Sequence, residues 1–205
     1  MVGGLEERRL LTSAGPIRYY LSPCVYEPSD DTWAAVDALE QLSSMGFRFA
    51  SVLDLGSGTG VLAGVAAALF RPPLVAAVDL SPNATEASRA TLGPDAAVIQ
   101  CNAASCLIGV WDLVIVNPPY LPTPAQETRG CDGLLDLAWS EETGHEALCE
   151  AAGRLGRNVI MVRSSASSLN VDSCLRRLGY EKALRLAKRE LFFETIWVEL
   201  WSKRR

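Results

Sequence analysis

The stretch that decides the fold is "SVLDLGSGTGVLAGVAAALFRPPLVAAVDL", residues 51–80. "SVLDL" (51–55) is a short apolar run that reads as a strand, and the glycine turn 54–60 closes it. An alanine-rich helix follows over about 59–70 and stops at Pro72-Pro73, because proline has no amide hydrogen and clashes with the preceding turn. "LVAAVDL" (74–80) is a second strand. A strand, a crossover helix and a strand in that order form a parallel pair.

The same alternation continues downstream. Ser81-Pro82 opens a helix with a capping hydroxyl and a proline in its first turn. Strands are expected at 96–101, 112–117 and 158–163, with helices over about 141–153 and 168–178, the last ending at Gly179. The final strand-like runs, 181–188 and 192–201, have too little chain between them for a crossover helix, so they read as an antiparallel hairpin. The expected fold class is α/β: a doubly wound, mainly parallel, seven-stranded sheet with a C-terminal antiparallel hairpin. Residues 1–50 read as an N-terminal extension with one helix, about 31–45, packed on the same domain, so that 1–205 form one domain.

Composition narrows the class. Hydrophobic residues make up 49% and charged residues 21%, as in an ordinary globular protein. The net charge of −5 argues against stable nucleic-acid binding through a broad basic face. No stretch has the run of about 18–20 uncharged apolar residues that a membrane span needs. "MVGGLEERRLL" at the amino terminus carries acids and no apolar centre, unlike a secretory signal, so a cytoplasmic protein is expected. The six cysteines contain no CxxC pair and are expected as reduced thiols, and the lone His145 builds no metal site, so no metal is expected.

Two loops carry the chemistry. In "DLGSGTG" (54–60), Gly56, Gly58 and Gly60 permit backbone torsions and close ligand approach that a Cβ would block. A dinucleotide fingerprint would need glycine where Val61 stands, and a P-loop would need Gly-Lys-Ser/Thr, so the cofactor is of another kind. Asp79 ends the second strand, where a carboxylate accepts both hydroxyls of a ribose. "DLVIVNPPYLP" (112–122) is a buried-type strand that breaks into Asn117, Pro118, Pro119 and Tyr120 at its carboxyl end, where ligands bind in open α/β sheets.

Making an amide or exocyclic amine attack an electrophile needs the NH₂ group held by its protons and drawn towards tetrahedral geometry. Asn117 offers a side-chain carbonyl as one acceptor, and the Pro118 backbone carbonyl serves as a second. Pro119 locks the turn, and the Tyr120 ring can lie against a flat substrate group. The motif specifies a planar NH₂ acceptor without distinguishing adenine, guanine or glutamine.

The glycine loop, Asp79 and Asn-Pro-Pro-Tyr together resemble class I S-adenosylmethionine-dependent methyltransferases, which have a Rossmann-like fold. With "VYEPSDDTW" (25–33), "NPPYLPTPAQE" (117–127) and "AWSEETGHE" (138–146), the chain resembles the HemK-like protein-glutamine methyltransferases in their short archaeal and eukaryotic form. That resemblance implies S-adenosyl-L-methionine as cofactor and, as substrate, the glutamine of the Gly-Gly-Gln loop in class-1 peptide-chain release factors. It also implies cofactor contacts at Thr32, Asp54, Gly56, Asp79, Asn117 and, around the adenine, Asn102 and Ala103, with substrate held along 117–120. Two positions depart from the family. Asn102 stands where an aspartate is usual, and Trp139 is followed by Ser140, Glu141 and Glu142 in place of a Gly-Gly pair.

Glu27, Asp30 and Asp31 read either as a solvated turn capping the next helix or as an acidic rim suited to a basic loop; Tyr26 and Trp33 read as core. Residues 96–111, "AAVIQCNAASCLIGVW", carry no charge although the third strand of such a sheet lies at its edge. The resemblance implies a small zinc-binding activator protein docked along it as a heterodimer. The rival reading is a nucleic-acid methyltransferase acting on adenine or guanine, for which a basic face is missing.

Overall fold

The computed structural model describes residues 4–119, 141–167 and 170–204, with the side chains of 141–145 set aside. Five strands form the parallel part of the main sheet: β3 (Ser51–Leu55), β4 (Leu74–Asp79), β5 (Ala97–Gln100), β6 (Trp111–Val116) and β7 (Gly156–Ser164). The C-terminal strands β8 (Tyr180–Glu190) and β9 (Thr195–Lys203) complete the order β5-β4-β3-β6-β7-β9-β8. β9 inserts between β7 and β8 and runs antiparallel to both. The expected seven-stranded, mainly parallel sheet with a terminal hairpin is therefore the observed one.

Alternation of side chains sorts the strands into two cores. On β6, Leu113 and Ile115 face one layer while Val114 and Val116 face the other, all four fully buried. Helices α1 (Asp30–Ser44) and α2 (Val61–Phe70) cover the first face; α4 (Glu141–Leu155) and α5 (Val171–Arg177) cover the second. Helix α3 (Pro82–Leu92) packs beside α2, its Ser81 cap accepting from the Ala84 amide at 3.4 Å.

Residues before α1 hold more structure than the single expected helix. β1 (Glu6–Thr12) and β2 (Gly15–Leu21) form an antiparallel hairpin that rests on α2 and α3, where the Tyr20 amide donates to Thr91 Oγ1 at 3.1 Å.

The cysteines correct the expectation of reduced thiols. Cys101–Cys106 and Cys149–Cys174 are disulfides, with Cα separations of 6.2 and 6.7 Å. Cys101 and Cys106 meet because the chain folds back after β5, and Cys149 and Cys174 because α4 and α5 pack side by side on one face. Neither approach is visible in spacing alone.

Strand order positions the site. The chain leaves β3 towards β4 and β5, then returns to β6 on the other side, so the order reverses between β3 and β6. In such sheets the crevice at that reversal binds the ligand. Leu55 and Val116 are register partners, so Gly56 and Asn117 emerge side by side from adjacent strands, about 5 Å apart in strand spacing.

Candidate active site

A cavity of about 250 Å³ opens at this reversal. Of the expected site residues, Thr32, Gly56, Gly58, Asp79, Asn102, Ala103, Asn117, Pro118 and Pro119 line it. Asp54 and Gly60 do not, and Tyr120 lies outside the described residues, as do Trp139 and Ser140.

The glycine loop is held from three sides. Gly56, Gly58 and Gly60 have φ of +73°, +52° and +74°, in the left-handed region that a Cβ disfavours. At Gly60 space is also decisive, since a Cβ there would stand 3.0 Å from Ser88 Cα, backbone that cannot move aside. Gly60 therefore lets α2 and α3 approach.

Behind the loop, Asp54 Oδ2 accepts from the Ala63 amide at 3.1 Å. Because Gly60 has no side chain to cap α2, this carboxylate from β3 satisfies one of the helix's orphan donors. Burial pushes the Asp54 carboxyl up to about 7, with the Asp79 charge adding to the rise and the Ala63 bond opposing it.

Asp79 joins two loops. Its Oδ2 accepts from Gly58 N–H and its Oδ1 from Ser81 N–H, both at 2.9 Å. Burial raises its pKa, and the amides of Ser81, Gly58 and Leu80 oppose that rise by favouring the ionised form. Both oxygens keep further lone pairs for hydroxyl donors at the cavity wall.

The loop after β5 closes the far end. Ala103 and Ala104 sit at positive φ, +41° and +59°, uncommon for residues with a Cβ. The loop is fixed by the Cys101–Cys106 bond and by Arg154 of α4, which donates to the carbonyls of Ala104 (3.0 Å) and Leu107 (2.9 Å).

At the other end stands a cluster that sequence reading did not assemble. Asp31, only 4% exposed, accepts from Asn117 Nδ2 through Oδ2 at 3.0 Å. Thr32 Oγ1 lies 3.4 Å from the same nitrogen. The other Asp31 oxygen accepts from the Thr32 amide (2.6 Å) and the Tyr26 hydroxyl (3.1 Å).

A carboxylate only accepts, so Asp31 dictates that Asn117 turns its NH₂ inward. Asn117 Oδ1 is then left buried and, among the described residues, without a hydrogen-bond partner, in a residue that lines the cavity. Tyr26, expected in the core, lines the cavity instead. Burial and the Asp31 charge raise its phenol well above the ordinary value, which keeps it a donor. Trp33 packs against the core as expected.

Comparison with known proteins agrees with this geometry. Residues 34–138, more than half of the chain, match the methyltransferase small domain family, and the chain belongs to that family. It is 32% identical to methyltransferase HEMK2 of Homo sapiens over 144 residues, covering 66% of this chain and 61% of that protein. It is 31% identical to the release factor glutamine methyltransferase of Deinococcus radiodurans over 175 residues, covering 78% and 62%. The chain thus spans about three fifths of the length of these curated relatives. A chain of the E. cuniculi Mtq2-Trm112 complex, described as methylating the translation termination factor eRF1, superposes with a TM-score of 0.67 at 25% identity, over 88% of this chain and 99% of that one.

The methyl donor of the family is S-adenosyl-L-methionine. The residues present fit it: glycine amides, a carboxylate with spare lone pairs at the end of β4, a small-residue loop after β5 and an orphaned acceptor at Asn117 share one cavity. Among the described residues, no helix is long and apolar enough to cross a membrane.

Proposed function

We propose that this protein transfers a methyl group from S-adenosyl-L-methionine to the side-chain amide nitrogen of the glutamine in the Gly-Gly-Gln loop of a class-1 peptide-chain release factor. The observation that carries the reading is the buried Asn117 Oδ1, left without a partner among the described residues because Asp31 and Thr32 hold the NH₂ end of the same side chain. Such an acceptor suits an incoming N–H donor. Relatives named for release-factor methylation support glutamine as the bearer of that donor.

In this reading the bound cofactor supplies an electrophilic methyl group on sulfonium. The chain's own residues bind, aim and exclude water. Asp79 accepts the ribose hydroxyls, the glycine loop admits the cofactor's amino-acid part, and the loop of Asn102 and Ala103 meets the adenine. Thr32 and Asn117 border the transfer point, while Asp54 and Gly60 act through the loop they hold. Asn117 Oδ1 accepts one proton of the glutamine NH₂, and the Pro118 carbonyl accepts the other. Pro119 fixes the turn, and Tyr120, outside the described residues, is the residue that the family resemblance assigns to the flat amide. Positioning of this kind can supply about 7–11 kcal/mol of barrier lowering.

A small activator protein, zinc-binding in this reading, docks along β5. Among the described residues the strand pairs with β4 alone, and beside it Ile108 is 91% exposed and Val110 60%. The Mtq2-Trm112 complex supports a partner of this kind.

The deciding experiment supplies labelled S-adenosylmethionine and a release factor with its Gly-Gly-Gln glutamine intact or changed to alanine, with and without the activator. Label on the intact protein that disappears with the glutamine change, and again with Asn117→Ala, is expected. Label that survives the glutamine change would overturn the assignment of substrate.

A further inference from the structure

The tip of the β8–β9 hairpin carries two adjacent aromatic residues in water. Phe192 and Phe193 are each 91% exposed, and their rings meet edge to face with centroids 4.7 Å apart. Single exposed apolar residues are ordinary, but two large rings side by side at a turn, where polar residues usually stand, mark a contact surface.

The tip itself is pinned. Leu191 N–H donates to the Glu194 carbonyl at 2.8 Å, closing the turn. Ser164 Oγ donates to the Glu194 carboxylate, and the Thr195 amide donates to Ser165 Oγ at 2.9 Å. Arg189 reaches Asp30 (3.2 Å) at the start of α1 and Asp37 (2.7 Å) two turns further along it. The rings are thus presented on a fixed support.

Register locates that support. Val116, just before Asn117, pairs with Met161 on β7, and Ser164, three residues further on, pairs with Ile196 on β9. The tip, three to four residues beyond Ile196, therefore stands about 15 Å beyond Asn117 along the strands and about 10 Å to one side, two strand spacings away. It lies on the substrate side of the sheet. The Glu194 charge reaches the Tyr26 phenol on the cavity wall, which puts tip and crevice on one rim. Glu27 is exposed and adds negative charge to that rim, while Glu190 is paired with Lys188 on its own strand.

We propose that Phe192 and Phe193 form a docking anchor for the folded protein that brings its glutamine loop to Asn117, gripping an apolar patch bordered by cationic residues roughly 18 Å from the reacting amide. The inference rests on the proposed function and adds where the substrate is held away from the chemistry. A short Gly-Gly-Gln peptide spans only about 10 Å when extended, so its glutamine can reach Asn117 without touching the tip.

The test is steady-state methylation of an intact release factor by the unaltered protein and by the double variant F192S/F193S. Both side chains are solvent-exposed, so the variant is expected to fold with an unchanged melting temperature and unchanged cofactor affinity. The expected result is at least a tenfold rise in KM for the release factor, with kcat within twofold and no change in KM for a short Gly-Gly-Gln peptide. Transfer by the unaltered protein with the same KM in the double variant overturns the docking anchor alone. No transfer by the unaltered protein overturns the functional reading and this inference with it. A concentration-dependent dimer that the double substitution dissolves, with KM unmoved, would assign the tip to self-association and overturn the proposal.

Discussion

Asp31 and Asn117, 86 residues apart, meet at 3.0 Å, carboxylate oxygen to amide nitrogen, at the mouth of the crevice between β3 and β6. The contact fixes which end of the Asn117 amide faces the cavity. Asp31→Ala should release that choice, since Thr32 Oγ1 at 3.4 Å is a weak substitute and a hydroxyl can donate as well as accept. The methylation rate in single turnover should fall about 100-fold, the scale of losing one preorganised polar contact to a reacting group. Cofactor affinity measured by calorimetry should stay within about threefold on the same reasoning, because the cofactor's ribose is assigned to Asp79. A variant with full single-turnover rate would show that Asn117 orients itself.

Arg154 governs the opposite end of the cavity from outside it. Its two bonds to the Ala104 and Leu107 carbonyls steady a loop with two alanines at positive φ. Removing them in Arg154→Ala should let the loop relax. At about 0.5–1.5 kcal/mol per bond, cofactor dissociation constants should rise about 5- to 150-fold while kcat at saturating cofactor is retained. An unchanged dissociation constant would mean that the Cys101–Cys106 bond suffices to hold the loop.

What the sequence disclosed follows from how local its signals are. The strand and helix alternation from residue 51 onward is written in apolar runs bounded by Gly and Pro, so β3, β4, β6 and their helices fell within a few residues of expectation. Asp79 and Asn117 were recognisable because each ends such a run. Asp31 was legible only as one of two readings, a cap or an acidic rim, because an acid opening a helix looks like a cap and its partner comes from a distant strand. Tyr26 reads as core because an aromatic ring carries no local sign that it faces a cavity. The β1–β2 hairpin stayed hidden because "EERRLLTSAGPIRYYL" alternates only weakly and reads as a charged tail. The cysteine pairs depend on the fold-back after β5 and on α4 against α5, which spacing does not encode.

Asp54 sets a pH dependence of stability. Its carboxyl titrates at about 7 in the folded chain against an ordinary value of 3.8. Below 3.8 it is protonated in both states. Between 3.8 and about 7 the folded protein keeps a proton that the unfolded chain has lost, so stability falls as pH rises through that window and levels off above it. At 1.36 kcal/mol per unit, the loss is on the order of 4 kcal/mol. Asp54→Asn retains an oxygen for the Ala63 amide and carries no charge. Urea unfolding at pH 4.5 and pH 8 should show the variant gaining on the parent by about 2–4 kcal/mol at the higher pH. Parallel pH profiles for the two proteins would sink the assignment.

Glu199 tests the hairpin that carries the aromatic tip. Fully buried on β9, its carboxylate meets Lys182 Nζ at 3.0 Å, Arg163 Nε at 3.1 Å and Arg185 Nε at 3.3 Å. Three cations converge on one acid because β7 and β8 both flank β9. Glu199→Ala leaves them facing one another beside a void, and with the cations partly solvated the loss should be about 2–3 kcal/mol. For a chain of this size that lowers the melting temperature by roughly 4–12 °C. Added salt should restore part of it, since the three cations left behind are partly solvated and their mutual repulsion is screened. Glu199→Gln, which keeps the shape and one acceptor, should cost less than the alanine change. The rate of methyl transfer per folded molecule should be unaltered in both, because Asp31, Asn117 and Asp79 lie at the other strands' carboxyl ends. A melting temperature within 2 °C of the parent in Glu199→Ala would show that the cluster is tolerated by the hairpin without holding it in place.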